Sequence, residues 1–149
     1  MLYGLDTGFL VAAEVKEHAD HSATQGILTR IVAAGDLIAI APQVLAEFIH
    51  IVTDSRRFSK PLDMLTEVGL AEQWWTAKEA LQIFPDNATA HQFFAWMRQF
   101  SIGRKRLLDT LLAATYHQAG VKSMLTTNPG DFAVFGVFCC ITPRAAPSP

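Results

Sequence analysis

Short apolar runs alternate with longer stretches in which apolar residues recur every three or four positions, which predicts strands interleaved with helices. Residues 3–5 read as a buried first strand ending at Asp6, with Gly8 following as a short helix begins. Over residues 18–34, Ala23, Ile27, Ile31 and Ala34 keep helical spacing, and Gly35 with Asp36 ends the segment. Residues 37–41 form a second strand. Pro42 then suits the first turn of a helix reaching Thr53, with Val44, Leu45, Phe48, Ile49 and Val52 on its apolar side and Glu47 in its middle.

After a loop over residues 54–61, a helix over 62–78 places Leu65, Val68, Ala71, Trp74 and Trp75 on one side. A brief strand is expected at 81–84. Asp86 or Asn87 caps a helix over 88–100 that carries Phe93, Phe94, Trp96 and Met97. A helix over 106–119 stops at Gly120, a strand covers 123–125, and Asn128, Pro129 and Gly130 turn the chain into a short helical turn at 131–135. Residues 137–141 close the series as a last strand. The alternation implies an α/β fold: a three-layer sandwich with a short, mainly parallel central sheet flanked by helices. A single domain is expected over residues 1–142, with 143–149 a loose C-terminal tail.

Composition narrows the picture. Half of the 149 residues are hydrophobic and only 17% are charged, so the chain has the makings of a globular core. The net charge of −2 supplies no overall basic field, so any polyanionic partner must be held by local patches. Two such patches exist, Arg56 with Arg57 and Lys60, and Arg104 with Lys105 and Arg106. Cys139 and Cys140 are adjacent, which suits neither a mutual disulfide nor a zinc site, and they read as buried thiols near a strand end. The opening MLYGLDTGFLVAAEV has no cationic leader and carries Asp6 within its apolar stretch, so neither a signal peptide nor a membrane span is expected, and a cytoplasmic location is the default.

The chemically informative feature is that carboxylates stand inside apolar segments: YGLDTGFLVA, VLAEFIHIV and RLLDTLLAA. A buried lone carboxylate costs several kcal/mol, on the order of the penalty for any unpaired ion, and is normally protonated, paired or metal-bound. Asp6 ends the first strand and Asp131 follows the strand at 123–125, so both belong to the sheet edge where α/β folds bind ligands. Glu47 and Asp109 come from helices packed on the sheet. Four oxygen donors without His or Cys suit Mg²⁺ or Mn²⁺. Taken singly, Asp6 also fits a turn, Asp131 a helix cap, and Glu47 or Asp109 an acid reaching for a nearby arginine.

Together, LDTGFLVA, APQVLAEFIHIVTDSRRF, GRKRLLDTLLAATYHQAGV and LTTNPGDFAVF resemble, in order and spacing, the successive signatures of PIN domains, in particular the VapC toxins of type II toxin-antitoxin pairs. The similarity runs from about Leu2 to Ile141. It implies a metal-dependent endoribonuclease with Asp6, Glu47, Asp109 and Asp131 as catalytic and metal-holding acids, Mg²⁺ or Mn²⁺ as cofactor, and Thr7, Thr126 and Asn128 as polar companions. It also implies an RNA substrate, a cognate antitoxin and a homodimer, the last in keeping with the chain's many large apolar side chains. Metal-activated water is the implied nucleophile. Arg56, Arg57, Arg104, Lys105 and Arg106 are the candidate contacts to the RNA backbone. Two departures stand out: Asn128 occupies a place where members often carry an acid, and Gly8 the place of a common asparagine.

Other readings of the same residues fail on pattern. LDTG resembles the active-site triplet of aspartic proteases, but that fold is all β. Glu47 and His50 form one Glu-x-x-His unit without the second copy a di-iron bundle needs. A haloacid-dehalogenase-like phosphotransferase requires an aspartate where Gly8 stands. The remaining alternative is a catalytically inactive PIN-fold module that binds RNA or protein, against which the retention of all four acids argues.

Overall fold

Five of the apolar runs become strands in the computed structural model, which describes residues 1–144; residues 145–149 of the expected tail lie outside the described residues. The strands are β1 (Leu2–Leu5), β2 (Leu37–Ile40), β3 (Ala80–Gln82), β4 (Ser123–Leu125) and β5 (Cys139–Ile141). They pair in the order β3-β2-β1-β4-β5, every pair parallel. The helices are α1 (Thr7–Glu14), α2 (His21–Ala33), α3 (Pro42–Val52), α4 (Met64–Thr76), α5 (Asn87–Gln99), α6 (Leu107–Gln118) and the short α7 (Gly130–Ala133). A 3₁₀ turn at Arg104–Arg106 leads into α6.

Helices α1 to α4 pack on one another, as do α5 to α7, and the sheet lies between the two groups. This is the expected α/β sandwich. The chain winds outward from β1 through β2 to β3, then returns to the other side of β1 for β4 and β5. That reversal puts a crevice outside the C-terminal ends of β1 and β4, the place where open parallel sheets bind ligands. Parallel strands covered on both faces carry apolar residues at consecutive positions, and Leu5, Ile40, Met124 and Leu125 are accordingly fully buried with Phe9, Val44, Phe48 and Phe132.

Several local expectations are corrected. On α2 the inward face is Thr24, Ile27, Leu28 and Ile31, while Ala23 and Ala34 are exposed. On α4, Leu65 is 81% exposed and Val68 is also exposed, whereas Ala71 and Glu67 are buried. Asp63 sets that register by accepting the Thr66 amide at the helix start, two residues later than the apolar spacing alone suggested. Strand β3 begins at Ala80 and stops before the exposed Phe84.

Cys139 is exposed and Cys140 partly so, because both lie on the edge strand β5. Trp96 is buried and stacks on Phe135 with ring centroids 4.3 Å apart, so the aromatic content of α5 goes in part to the core. At the end of the described chain, the Arg144 guanidinium donates to Asp20 at 2.8 Å and so ties down a residue assigned above to the tail. Among the described residues no helix is long and apolar enough to cross a membrane.

Candidate active site

Asp6 occupies the N-cap position of α1, yet its side chain caps nothing. Its backbone continues the sheet, the amide donating to the Leu125 carbonyl at 3.0 Å, and its carboxyl faces β4, where the Thr126 hydroxyl donates to Oδ2 at 2.7 Å. Thr126 is fully buried, and its oxygen also accepts the Asn128 amide at 3.0 Å. The end of β4 is thereby shaped to hold the first acid. Burial pushes the Asp6 carboxyl up to about 6, and the negative charges of Asp109 and Glu47 push the same way; the Thr126 hydroxyl and the Thr7 amide offset part of the rise.

Glu47 comes from the middle of α3, and its Oε2 accepts the Thr7 hydroxyl at 2.9 Å. The Thr7 hydroxyl is thus a companion of the second acid, while its amide acts on the first. Asp109 lies in the first turn of α6, where burial raises its carboxyl above the ordinary range, as do Asp131 and Glu47, while Arg106 acts in the opposite sense. Asp6 and Asp109 therefore both sense Glu47 as a like charge, and Asp6 senses Asp109 as well. These three helix and strand origins were legible in the sequence, and the structure brings them together.

Asp131, on α7, is held differently. Its Oδ1 lies 3.4 Å from Arg106 Nε and its Oδ2 accepts the Asn128 side-chain amide at 2.6 Å. Both oxygens are thus engaged, whereas one oxygen each of Asp6 and Glu47 has no side-chain donor and Asp109 has none at all among the described residues. The quartet divides into three acids with lone pairs to spare and a fourth already paired with Arg106 and hydrogen-bonded by Asn128.

An all-oxygen set of mutually repelling carboxylates matches the preferences of Mg²⁺ or Mn²⁺. Among the described residues no three His, Cys, Asp or Glu side chains already stand together at ligating distance, so holding an ion requires side-chain rotation toward a common point. The donor chemistry fits. A cation there would relieve both the repulsion and the burial cost that hold Asp6 and Asp109 above their ordinary range.

The basic residues separate in the same way. Arg106 faces the acids, and its guanidinium also donates to the Gly130 carbonyl at 3.2 Å. Arg104 and Lys105 are exposed on the turn beside it. Arg56 and Arg57 instead pair with Asp54, at 3.1 and 3.6 Å, holding that carboxyl below the usual range by hydrogen bonds from Arg56 and by charge. Their loop packs beside the C-terminal end of α1, where Val15, Phe58 and Leu62 line one cleft, and Asp6 stands at the other end of that eight-residue helix, about 12 Å away at 1.5 Å per residue.

Two residues at the site carry no obvious sequence signal. Thr127 lies against Gly8, where a Cβ would come within 2.5 Å of its hydroxyl and 3.6 Å of Asp6 Oδ2. Tyr116 lies beneath the acids with its hydroxyl fully buried; only its polarity within the apolar run of α6 marks it.

No family model matches the chain. Ribonuclease VapC24 of Mycobacterium tuberculosis is 23% identical over 135 residues, which cover 91% of this chain and 92% of that protein. Among solved structures, VapBC-1 from nontypeable Haemophilus influenzae superimposes with a TM-score of 0.69 at 14% identity, covering 97% of this chain and all of that one. VapC20 of M. tuberculosis, a sarcin-ricin loop cleaving toxin, gives 0.68 at 17% identity over 91% of this chain and 95% of its own. VapBC2 from Rickettsia felis, bound to a promoter DNA fragment, gives 0.68 at 20% identity over 95% and 98%. The fold is that of the PIN domain, and in sequence and fold the chain is similar to VapC-type proteins.

Proposed function

Starting from a PIN fold and a likeness to VapC-type ribonucleases along nine-tenths of the chain, we propose that this protein is a metal-dependent endoribonuclease, the toxin of a type II toxin-antitoxin pair. The observation that carries this reading is the placement of Asp6, Glu47 and Asp109 around the sheet's topological switch point, close enough that the charges of Asp109 and Glu47 add to burial in raising the Asp6 carboxyl. Four structural elements converge there to place four acids around a single protein cation, Arg106, which is paired with Asp131. That is costly in a merely structural role and useful only if a cation arrives.

In this reading Asp6, Glu47 and Asp109 hold Mg²⁺ or Mn²⁺, and Asp131 closes the site from α7. Bound there, the ion supplies a lowered pKa for an attacking water and charge neutralisation at the scissile phosphate. The chain's own residues prepare the site. Thr126 and Thr7 fix the carboxylates of Asp6 and Glu47 through one oxygen each and leave the other free. Arg106, with Arg104 and Lys105 on the rim, favours the approach of a phosphate backbone to an otherwise acidic crevice. Arg56 and Arg57, a helix length away, are placed to meet only the backbone of a longer RNA.

The structural neighbours named VapBC are complexes, which supports a cognate antitoxin as partner. A homodimer is supported by large apolar side chains left at the surface, among them Leu65, Phe84 and Phe94. A cytoplasmic setting fits an enzyme that acts on cellular RNA.

The test is cleavage of total RNA by the purified chain with and without Mg²⁺ or Mn²⁺, beside Asp6→Asn and Asp109→Asn. Cleavage that needs the metal and vanishes in both variants is expected. Cleavage persisting in both variants would overturn the site assignment, and no cleavage by a folded wild type would favour an inactive binding module.

A further inference from the structure

Asp109 and Tyr116 lie seven residues apart on α6, two turns along the same face. The helix that delivers an acid to the site therefore also delivers a phenol beneath it. Tyr116 is fully buried, and its hydroxyl makes two bonds: it donates to the Leu5 carbonyl at 2.8 Å and accepts the Ala41 amide at 3.2 Å. Leu5 immediately precedes Asp6. Ala41 immediately precedes Pro42, the first residue of the helix that carries Glu47.

The position of this hydroxyl relative to the sheet is informative. Pairing of β1 with β2 runs through Leu2↔Leu37, Tyr3↔Ile38 and Gly4↔Ala39, and there it stops. The next donor and acceptor on the two strands, the Ala41 amide and the Leu5 carbonyl, both go to Tyr116. A side-chain oxygen thus stands where the ladder would otherwise continue, satisfying both backbone groups while keeping the strand ends apart. Buried backbone groups must find partners, so the phenol takes over a role that the sheet relinquishes at this point.

Gly4 is the counterpart on β1. A Cβ there would lie 2.8 Å from Tyr116 Cδ2 and 2.6 Å from Met124 Sδ, so only glycine admits the ring to its place beneath the sheet end. Packing of that kind fixes the ring, and the ring fixes the hydroxyl. The site above it depends on the relative placement of Asp6, Glu47 and Asp109, and one phenol touches the backbone preceding the first two while riding on the helix of the third.

We propose that Tyr116 is a positioning residue, its hydroxyl spacing the ends of β1 and β2 so that the backbone places Asp6 and Glu47 where their side chains can rotate onto one divalent ion. The inference rests on the reading of these acids as a metal-holding site. Without the hydroxyl, the Leu5 carbonyl and Ala41 amide either close on each other or remain unpaired, and both outcomes shift Asp6 against Glu47. Displacements near 1 Å are on the order of what costs a preorganised site most of its advantage.

The experiment compares wild type with Tyr116→Phe, which keeps the ring and removes only the hydroxyl. Mn²⁺ binding is read by electron paramagnetic resonance, and cleavage is followed against both Mn²⁺ and RNA concentration. Ile31→Val, a buried change on α2 remote from the acids, controls for lost stability. The expected result is a Mn²⁺ Kd at least tenfold weaker in Tyr116→Phe, with kcat lowered at saturating Mn²⁺ and KM for RNA within twofold of wild type. Ile31→Val is expected to bind Mn²⁺ as wild type does.

Introducing 4-aminophenylalanine at position 116, which restores a donor toward Leu5, is expected to recover much of the affinity; this second variant also serves if Tyr116→Phe fails to unfold cooperatively. Mn²⁺ affinity in Tyr116→Phe within twofold of wild type would overturn the inference and leave the metal-site reading intact. Absence of Mn²⁺ binding in wild type would overturn that reading, and this inference with it.

Discussion

Thr126 and Asp6, separated by 120 residues, are joined by a 2.7 Å hydrogen bond in which the buried hydroxyl donates to the carboxylate. The bond couples the end of β4 to the end of β1 across the switch point and stabilises the charged form of an acid that burial otherwise disfavours. Thr126→Val preserves shape and removes the donor. Carboxyl-carbon NMR of the metal-free protein should show Asp6 titrating near 6 in wild type and at higher pH in the variant. An unchanged or lower value would mean that the threonine does not set the ionisation of Asp6.

Because its carboxyl titrates at about 6 in the folded chain against 3.8 when unfolded, Asp6 contributes stability that is fully present below 3.8 and is lost as pH rises through 6. The difference corresponds to about 3 kcal/mol at neutral pH, at roughly 1.4 kcal/mol per unit. Asp6→Asn should therefore be more stable than wild type at pH 7 without metal, by an amount approaching that figure. Urea unfolding with and without Mg²⁺ checks this: the ion should stabilise wild type and leave the variant nearly unchanged. A variant less stable than wild type in chelator would contradict it.

The acid triad was readable because each member breaks an apolar pattern, at YGLDTG, VLAEFI and RLLDTL. The sheet was readable for a related reason: parallel strands buried on both faces show as short continuous apolar runs, as in LIAI and SML. What could not be read is the wiring. The pairing of Thr7 with Glu47, of Thr126 with Asp6 and of Arg106 with Asp131 depends on distances across the sheet that no spacing along the chain encodes. The face of α4 is not legible because Leu65 and Val68 satisfy helical spacing equally well when exposed, and Asp63 rather than hydrophobicity starts the helix.

Arg106 was a candidate RNA contact by sequence, and its geometry assigns it a second role as the resident cation of the acidic site. Arg106→Gln removes a positive charge that favours the ionised form of Asp109 and competes with any incoming ion. Mn²⁺ should bind the variant more tightly, by roughly threefold, while the metal-free protein loses about 1 kcal/mol of stability. Isothermal titration and urea unfolding report the two effects. Weaker Mn²⁺ binding would show that the arginine supports the metal site instead of opposing it.

Glu67 is only 4% exposed, its Oε2 has no hydrogen-bond partner, and burial followed by the charges of Glu14 and Asp63 pushes its carboxyl up. An unpartnered buried acceptor costs about 1 kcal/mol or more. Since the folded-state value is raised, the contribution of Glu67 is favourable below its ordinary value of 4.5 and declines as pH rises above it. Glu67→Gln is expected to raise stability at pH 7 by about 1 kcal/mol and to flatten the decline. A loss of stability at pH 7 would reveal a partner for the carboxylate.

Gly8 stands where the resemblance to PIN domains implies an asparagine, and in this chain Thr127 occupies the space that such a side chain would enter. Its hydroxyl fills the space into which a side chain at position 8 would project, 2.5 Å from the position of a Cβ. A larger residue at 8 must therefore displace Thr127, a half-buried side chain in the loop that follows β4, and through that loop disturb Thr126 and its hold on Asp6. Gly8→Asn alone should destabilise the fold and weaken Mn²⁺ binding.

Thr127→Gly alone should do little to either. Combined, they give the asparagine room beside Asp6 Oδ2, and the double variant should regain most of what Gly8→Asn lost. In a double-mutant cycle on unfolding free energy, the coupling should be favourable and about 1–2 kcal/mol, within the range for residues in direct contact. A coupling near zero would mean that positions 8 and 127 do not exchange space.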